Sequence, residues 1–236
     1  MIHTKSILVA ILLFSTMSFL SAQSTPKFQI ELKKLEIRND VDSPRFPDQI
    51  DKGGVQTAKK WTVLFARYTI EFDKATRPVA GALDNGKWLN TLSVDWKFLY
   101  KPEKAPADRA ESYIKFGEEI KYANLEEGEH TALIFIDPKI LKRYFEEGRN
   151  IKKDLHIRLS FKAEGLKQKL KIGTNLYDAA FMSGGKLIKK VPPTTINAFE
   201  NDRIKTLPNV VRPRNKTPFS VIQFDNFDTI AVDEKN

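Results

Sequence analysis

The chain has 236 residues, 41% of them hydrophobic, with 39 basic and 30 acidic side chains and a formal net charge of +9. That length and apolar share fit one large all-β domain or two small ones and exclude a disordered polymer. With no cysteine and only three histidines, disulfide frameworks, thiol nucleophiles, cysteine metal sites and lipoprotein-type acylation are excluded, and most histidine-dependent catalysis with them.

Residues 1–22 read as an export signal. Lys5 supplies the positive segment, Ile7 to Phe14 is apolar, and Leu20-Ser21-Ala22 is a small-residue cleavage signature. The apolar stretch is short for a spanning helix, which needs ~20 residues, so a mature chain starting near Gln23 is expected. An exported chain without cysteine fits a bacterial envelope, where it would sit in the periplasm, on the outer membrane surface or outside the cell. Small eukaryotic secreted domains lean on disulfides instead.

The mature chain then reads as strands. Phe28, Ile30 and Leu32 alternate with polar residues, and Leu35 and Ile37 continue on the other parity, which predicts a bulge at Lys33-Lys34. Asn39 to Gly54 is loop. Trp61 to Phe72, apolar on both parities at first, reads as a central strand covered on two sides. A second loop holds Pro78 and the turn Asp84-Asn85-Gly86. From Trp88 to Lys101, Leu92, Val94, Trp96, Phe98 and Tyr100 share one parity, the mark of a half-buried strand. Weaker strands follow at Ser112–Tyr122 and Thr131–Ile136, with a turn between them at Asn124–Gly128.

One helix is expected. Asp137 is a good N-cap and Pro138 a good first residue; Ile140, Leu141, Tyr144 and Phe145 keep helical spacing, and Gly148 sits where a C-terminal cap belongs. Leu155, Ile157, Leu159 and Phe161 then alternate with polar residues, and Leu166, Leu170 and Ile172 return after Glu164-Gly165, which predicts a hairpin. Residues 23–190 would form the sandwich domain. Residues 191–236, dense in proline, read as an extended segment with a last strand at Phe219–Phe224. The fold expected is an antiparallel β-sandwich of immunoglobulin-like character with one short helix; a β-barrel is the alternative. Alternating strand–helix units are missing, which argues against a nucleotide-binding α/β fold.

The search for chemistry returns few candidates. The sequence carries no glycine-rich phosphate loop, serine elbow or zinc-binding histidine pair. His130 and His156 fall in strand patterns and read as surface or packed residues. Glu118-Glu119, Glu126-Glu127 and Glu146-Glu147 are neighbours, and neighbours on a strand point to opposite faces. Asp225 and Asp228 match no calcium loop. Trp96 and Trp61 read as core, and Trp88 as the one tryptophan free to stack on a sugar. No catalytic residue, metal or cofactor is expected. The rival is a glycan hydrolase with two carboxyls converging across a cleft.

The predicted hairpin puts Lys162 opposite Lys167, Ser160 opposite Lys169, and Arg158 opposite Lys171. Like charges directly opposite are mildly destabilising. The face of Arg158, Lys162, Lys167, Lys169 and Lys171 is therefore the candidate contact for an anionic partner such as lipopolysaccharide, an acidic glycan or an acidic protein. Its bland reading is a solvated edge where lysines oppose aggregation. Nucleic acid is not expected. Phe199, Phe219, Val221, Ile222, Phe224 and Phe227 must be buried somewhere, either on the same domain or as an arm added to a neighbouring copy, and the arm is the preferred reading. A homo-oligomer is expected.

The strand WLNTLSVDWKFLYK, the capped helix DPKILKRYFEEG and the tail VRPRNKTPFSVIQFD, on a cysteine-free exported chain, resemble a verrucomicrobial family of secreted immunoglobulin-like proteins associated with a pilus gene cluster. The resemblance covers roughly residues 25 to 230. It implies a non-catalytic envelope or pilus-associated role, with no catalytic residue to carry over. The chain lacks the long apolar N-terminal helix of a pilin, which argues against a filament subunit.

Overall fold

Alternating apolar residues become the buried faces of two stacked sheets. The computed structural model describes residues 28–44, 59–73, 88–102, 113–145, 151–163, 169–188 and 192–221. The signal segment 1–22, residues 45–54 of the first loop, the loop with Asp84-Asn85-Gly86, Glu146-Glu147, Gly148, the Glu164-Gly165 turn, Lys167 and residues 222–236 lie outside them.

The described strands are β1 (Phe28–Asp42), β2 (Lys60–Phe72), β3 (Trp88–Tyr100), β4 (Ile114–Glu126), β5 (Gly128–Ile136), β6 (Leu155–Lys162), β7 (Leu170–Ile172), β8 (Asn175–Tyr177), β9 (Ala180–Ser183), β10 (Lys186–Ile188) and β11 (Val211–Pro213). Among them run α1 (Pro138–Tyr144), α2 (Ile151–Asp154) and α3 (Pro193–Glu200). One sheet has the order β11-β5-β2-β1-β7-β8 and the other β10-β9-β6-β3-β4. Each is a linear series with two ends, so the chain is an all-β sandwich and the barrel alternative falls. Pairing is antiparallel except between β1 and β7.

The change of phase in β1 is a bulge, as predicted. Leu32 pairs with Tyr68 and Lys34 with Arg67, which leaves Lys33 as the extra residue. Phe28, Ile30, Leu32, Leu35 and Ile37 all stay in the core as a result. β2 lies between β1 and β5, and its residues Trp61, Thr62, Val63 and Leu64 are buried in succession. In the facing sheet, Val94, Trp96, Phe98 and Tyr100 of β3 are buried with Leu155, Ile157, Leu159 and Phe161 of β6. Phe98 stacks on Phe116 at 4.9 Å, and Tyr100 meets Phe145 at 4.5 Å. Trp96 and Trp61 are core, while Trp88 is 40% exposed.

α1 begins as predicted: the Asp137 side chain accepts from the Lys139 amide at 2.8 Å. It stops at Tyr144, because Phe145 turns to an extended conformation and enters the core. Several expectations need correction. β1 runs on to Asp42, through residues read as the start of a loop, and β4 runs to Glu126, which confines the turn before β5 to Glu127. β6 and β7 are not a hairpin; they belong to different sheets. The tail between 192 and 200 is helical over Pro193–Glu200 instead of extended. Phe219 lies in a 3-10 turn, Pro218–Val221, and the last described strand is β11 at Val211–Pro213. Pro213 is tolerated there because β11 is an edge strand, where a missing amide leaves no ladder bond broken.

Candidate functional site

The predicted cationic face is divided between the two sheets. Arg158 and Lys162 project from β6, Lys171 from β7, exposed Lys169 immediately precedes β7, and Lys167 lies outside the described residues. The alternation of Leu166, Leu170 and Ile172 marks which side of the strand is buried. It cannot say which sheet the strand joins, because two facing sheets bury the same kind of side. β6 pairs with β3 and β9, and β7 pairs with β1 through Glu31 opposite Lys171.

Carboxylates answer most of these cations. Arg158 faces Glu200 at 3.8 Å, and Asp95 stands between Lys97 at 3.6 Å and Lys162 at 3.9 Å. Glu31 is held by Lys33 at 2.8 Å and Lys171 at 3.0 Å. Hydrogen bonds first from Lys33 and then from Lys171 hold the Glu31 carboxyl below its ordinary 4.5, and Glu31 raises Lys171 in turn. Bonds from Lys34 and Arg38 lower Glu36 to about 2. Among the described residues, no three histidine, aspartate or glutamate side chains are grouped so as to hold a metal ion.

The segment 192–221 packs on its own domain. Ala198 and Phe199 of α3 cover Leu99 of β3, and Phe199 meets Phe181 at 5.9 Å. The Lys115 ammonium donates to the carbonyls of Phe199 at 3.5 Å and Asn201 at 3.2 Å, completing the C-terminal end of α3. The chain then runs along β4, where the Leu207 amide donates to the Lys115 carbonyl at 2.8 Å and the Lys115 amide to the Lys205 carbonyl at 3.1 Å, and crosses to the other sheet as β11 beside β5. β11 reaches only as far as Ile134. The next amide, that of Leu133, donates to the Tyr122 hydroxyl of the facing sheet at 3.2 Å. Arg214 is buried, which pushes its guanidinium below its usual range, and its Nε donates to the Phe219 carbonyl at 3.2 Å. Phe219 then stacks on Phe135 at 4.9 Å and meets Trp61 edge-on at 5.7 Å.

A second basic surface lies at one end of the sandwich, the end where β5 runs into α1. Lys139, Lys142 and Arg143 on α1, Lys153 on α2 and Lys186 on β10 are exposed there. Gly185 packs against Lys152, which joins the β9–β10 turn to α2, and the Lys101 amide donates to the Asp154 carbonyl at 3.3 Å, which joins α2 to the end of β3. Nearby acids have other work: Asp42 pairs with Lys60, and Asp137 caps α1 and faces Arg212 at 3.8 Å. Among the described residues, no carboxylate pairs with Lys139, Lys142, Arg143, Lys153 or Lys186. The spacing of Lys139, Lys142 and Arg143 on a capped helix was a signal for this surface. Its other members come from distant parts of the chain.

The fold and these surfaces define an all-β sandwich that presents flat, charged faces and closes one side with its own tail. A family model matches residues 21–234, so the chain belongs to that family. Three solved chains match it. One is a crystal structure from Akkermansia muciniphila, with 19% identity, a TM-score of 0.63, and coverage of 88% of this chain and 95% of that one. Likeness at that identity shows the fold alone. Its source agrees with the verrucomicrobial group named by the resemblance. No curated protein matches the chain.

Proposed function

We propose that the protein is a non-catalytic, exported structural or interaction protein of the bacterial envelope, of immunoglobulin-like character and working beside a pilus system, as the resemblance implies. The observation that supports this reading is the placing of the acids. Glycoside hydrolysis needs two carboxyls converging ~5–10 Å apart, one of them kept protonated. Glu31 and Glu36 each stand among lysines or arginines on a sheet face, an arrangement that favours the ionised form. The described surfaces suit docking, and the reading includes association with envelope proteins or with further copies of the chain.

Fractionation of native cells, with pull-down of the chain and turnover assays on a panel of glycans, tests it. The expected result is an envelope fraction, co-purifying envelope proteins and no turnover. Sustained hydrolysis of any glycan, or recovery from the cytosol, overturns it.

A further inference from the structure

We propose that the basic end of the sandwich, formed by α1, α2 and the β9–β10 hairpin, docks on an anionic lipid surface. The inference deepens the envelope reading, since it names the surface through which the protein would meet its compartment.

The charge pattern comes first. Several cations on the sheet faces, among them Lys33, Lys34, Lys162 and Lys171, have carboxylates opposite them. Lys139, Lys142, Arg143, Lys153 and Lys186 have none among the described residues, although all are exposed. A group of unanswered cations at one end of a +9 chain is a field looking for an anion.

The scaffold holds them in place. α1 is capped by Asp137, and the β9–β10 turn is made by Gly184 and Gly185 with φ of 58° and 75°, left-handed values that glycine adopts without strain. Arg143 lies over the Tyr144 ring at 5.2 Å, so its charge rests on an apolar base.

Two observations favour lipid over sugar or acidic protein. Leu187, next to Lys186, is 37% exposed. An exposed aliphatic side chain beside lysines suits shallow entry between headgroups. The exposed Trp88, the natural platform for a sugar ring, lies at the opposite end, because β3 begins there and reaches the basic end only at Tyr100. Four of the five cations are lysines, point charges that answer diffuse headgroup charge and lack the planar fork for bidentate recognition of one carboxylate.

Flotation of the full chain with phosphatidylcholine vesicles, with and without phosphatidylglycerol, tests the proposal. Binding is expected only to the anionic vesicles and should fade as salt is added. Lys142→Gln, Lys153→Gln and Lys186→Gln should each weaken it about fivefold. Arg67→Gln makes the same change in net charge on β2, opposite Thr131 and away from the basic end, and should leave binding unchanged. Equal binding to neutral vesicles, or an equal loss from Arg67→Gln, overturns the proposal. So does retention on an acidic polysaccharide without vesicle binding. Unchanged thermal melting of these surface variants separates lost binding from lost folding. Cytosolic recovery in the fractionation would sink the envelope reading without altering the vesicle result.

Discussion

Gly117 shows how a single position can be fixed by its neighbour strand. It lies in β4 opposite Lys97, and a Cβ built there would run into the carbonyl oxygen of Trp96. That oxygen belongs to the backbone of β3, which is held on both sides by β4 and β6, so it has no freedom to move away. Gly117→Ala should therefore destabilise the protein by about 1–3 kcal/mol, the usual range for forcing atoms into a packed site. Urea unfolding measures it, and a variant as stable as the parent would show that the two strands can separate locally. Nothing in the sequence separates Gly117 from a turn glycine such as Gly128, because the demand comes from a residue 21 positions away in the chain. The bulge at Lys33 was legible for the opposite reason: it is written in the order of the residues themselves, as a change of parity between Leu32 and Leu35.

The strap formed by α3, β11 and the turn at Pro218–Val221 is the element that the sequence concealed most. Pro192-Pro193 followed by Thr194, Thr195 and Ile196 has weak helical propensity. The helix exists because Ala198 and Phe199 find an apolar patch at Leu99 and Phe181 that only the assembled sheet provides. Likewise, the hairpin expected around Glu164-Gly165 rested on parity, which names the buried side and is silent about the sheet. The preferred reading of the tail was an arm on a neighbouring copy, yet residues 192–221 cover their own domain. Deleting everything after Pro208 should uncover Trp61 and Phe135, lower the melting temperature and leave the size on a sizing column unchanged. A shift to a smaller size class would restore the arm. Phe219→Ala should reproduce part of the effect. Its cost should fall below the ~3–5 kcal/mol of a fully buried phenylalanine, because Phe219 is only half-buried.

Among the described residues, His156 and the carboxylates Glu31 and Glu36 carry shifts that respond to acid. Burial lowers the His156 pKa below 6.5, partly opposed by Asp154. The unfolded chain then takes up that proton first, so the contribution is present above pH 6.5 and is lost as pH falls through it. Glu36, lowered to about 2, contributes above 4.5 and loses its share as pH falls from 4.5 towards 2. It is well solvated, so its step is the smaller one. Urea unfolding at about pH 8 and about pH 5 should show a loss that His156→Gln reduces; an unchanged loss would assign it elsewhere. The order in which the strands enter the two sheets has a further consequence, and it concerns time. The chain supplies β1 and β2 to one sheet, β3 and β4 to the other, and continues to alternate until β11 closes the edge beside β5. β1, made first, gains its second neighbour only when β7 arrives, and Leu99 of β3 stays uncovered until α3 is made. Contacts this distant along the chain are slow to form, because the loop between them must close before either strand benefits. The sheet that contains β1 stays incomplete until β11 is made, whereas the facing sheet has all its described strands once Ile188 is made, so the sandwich closes one sheet after the other.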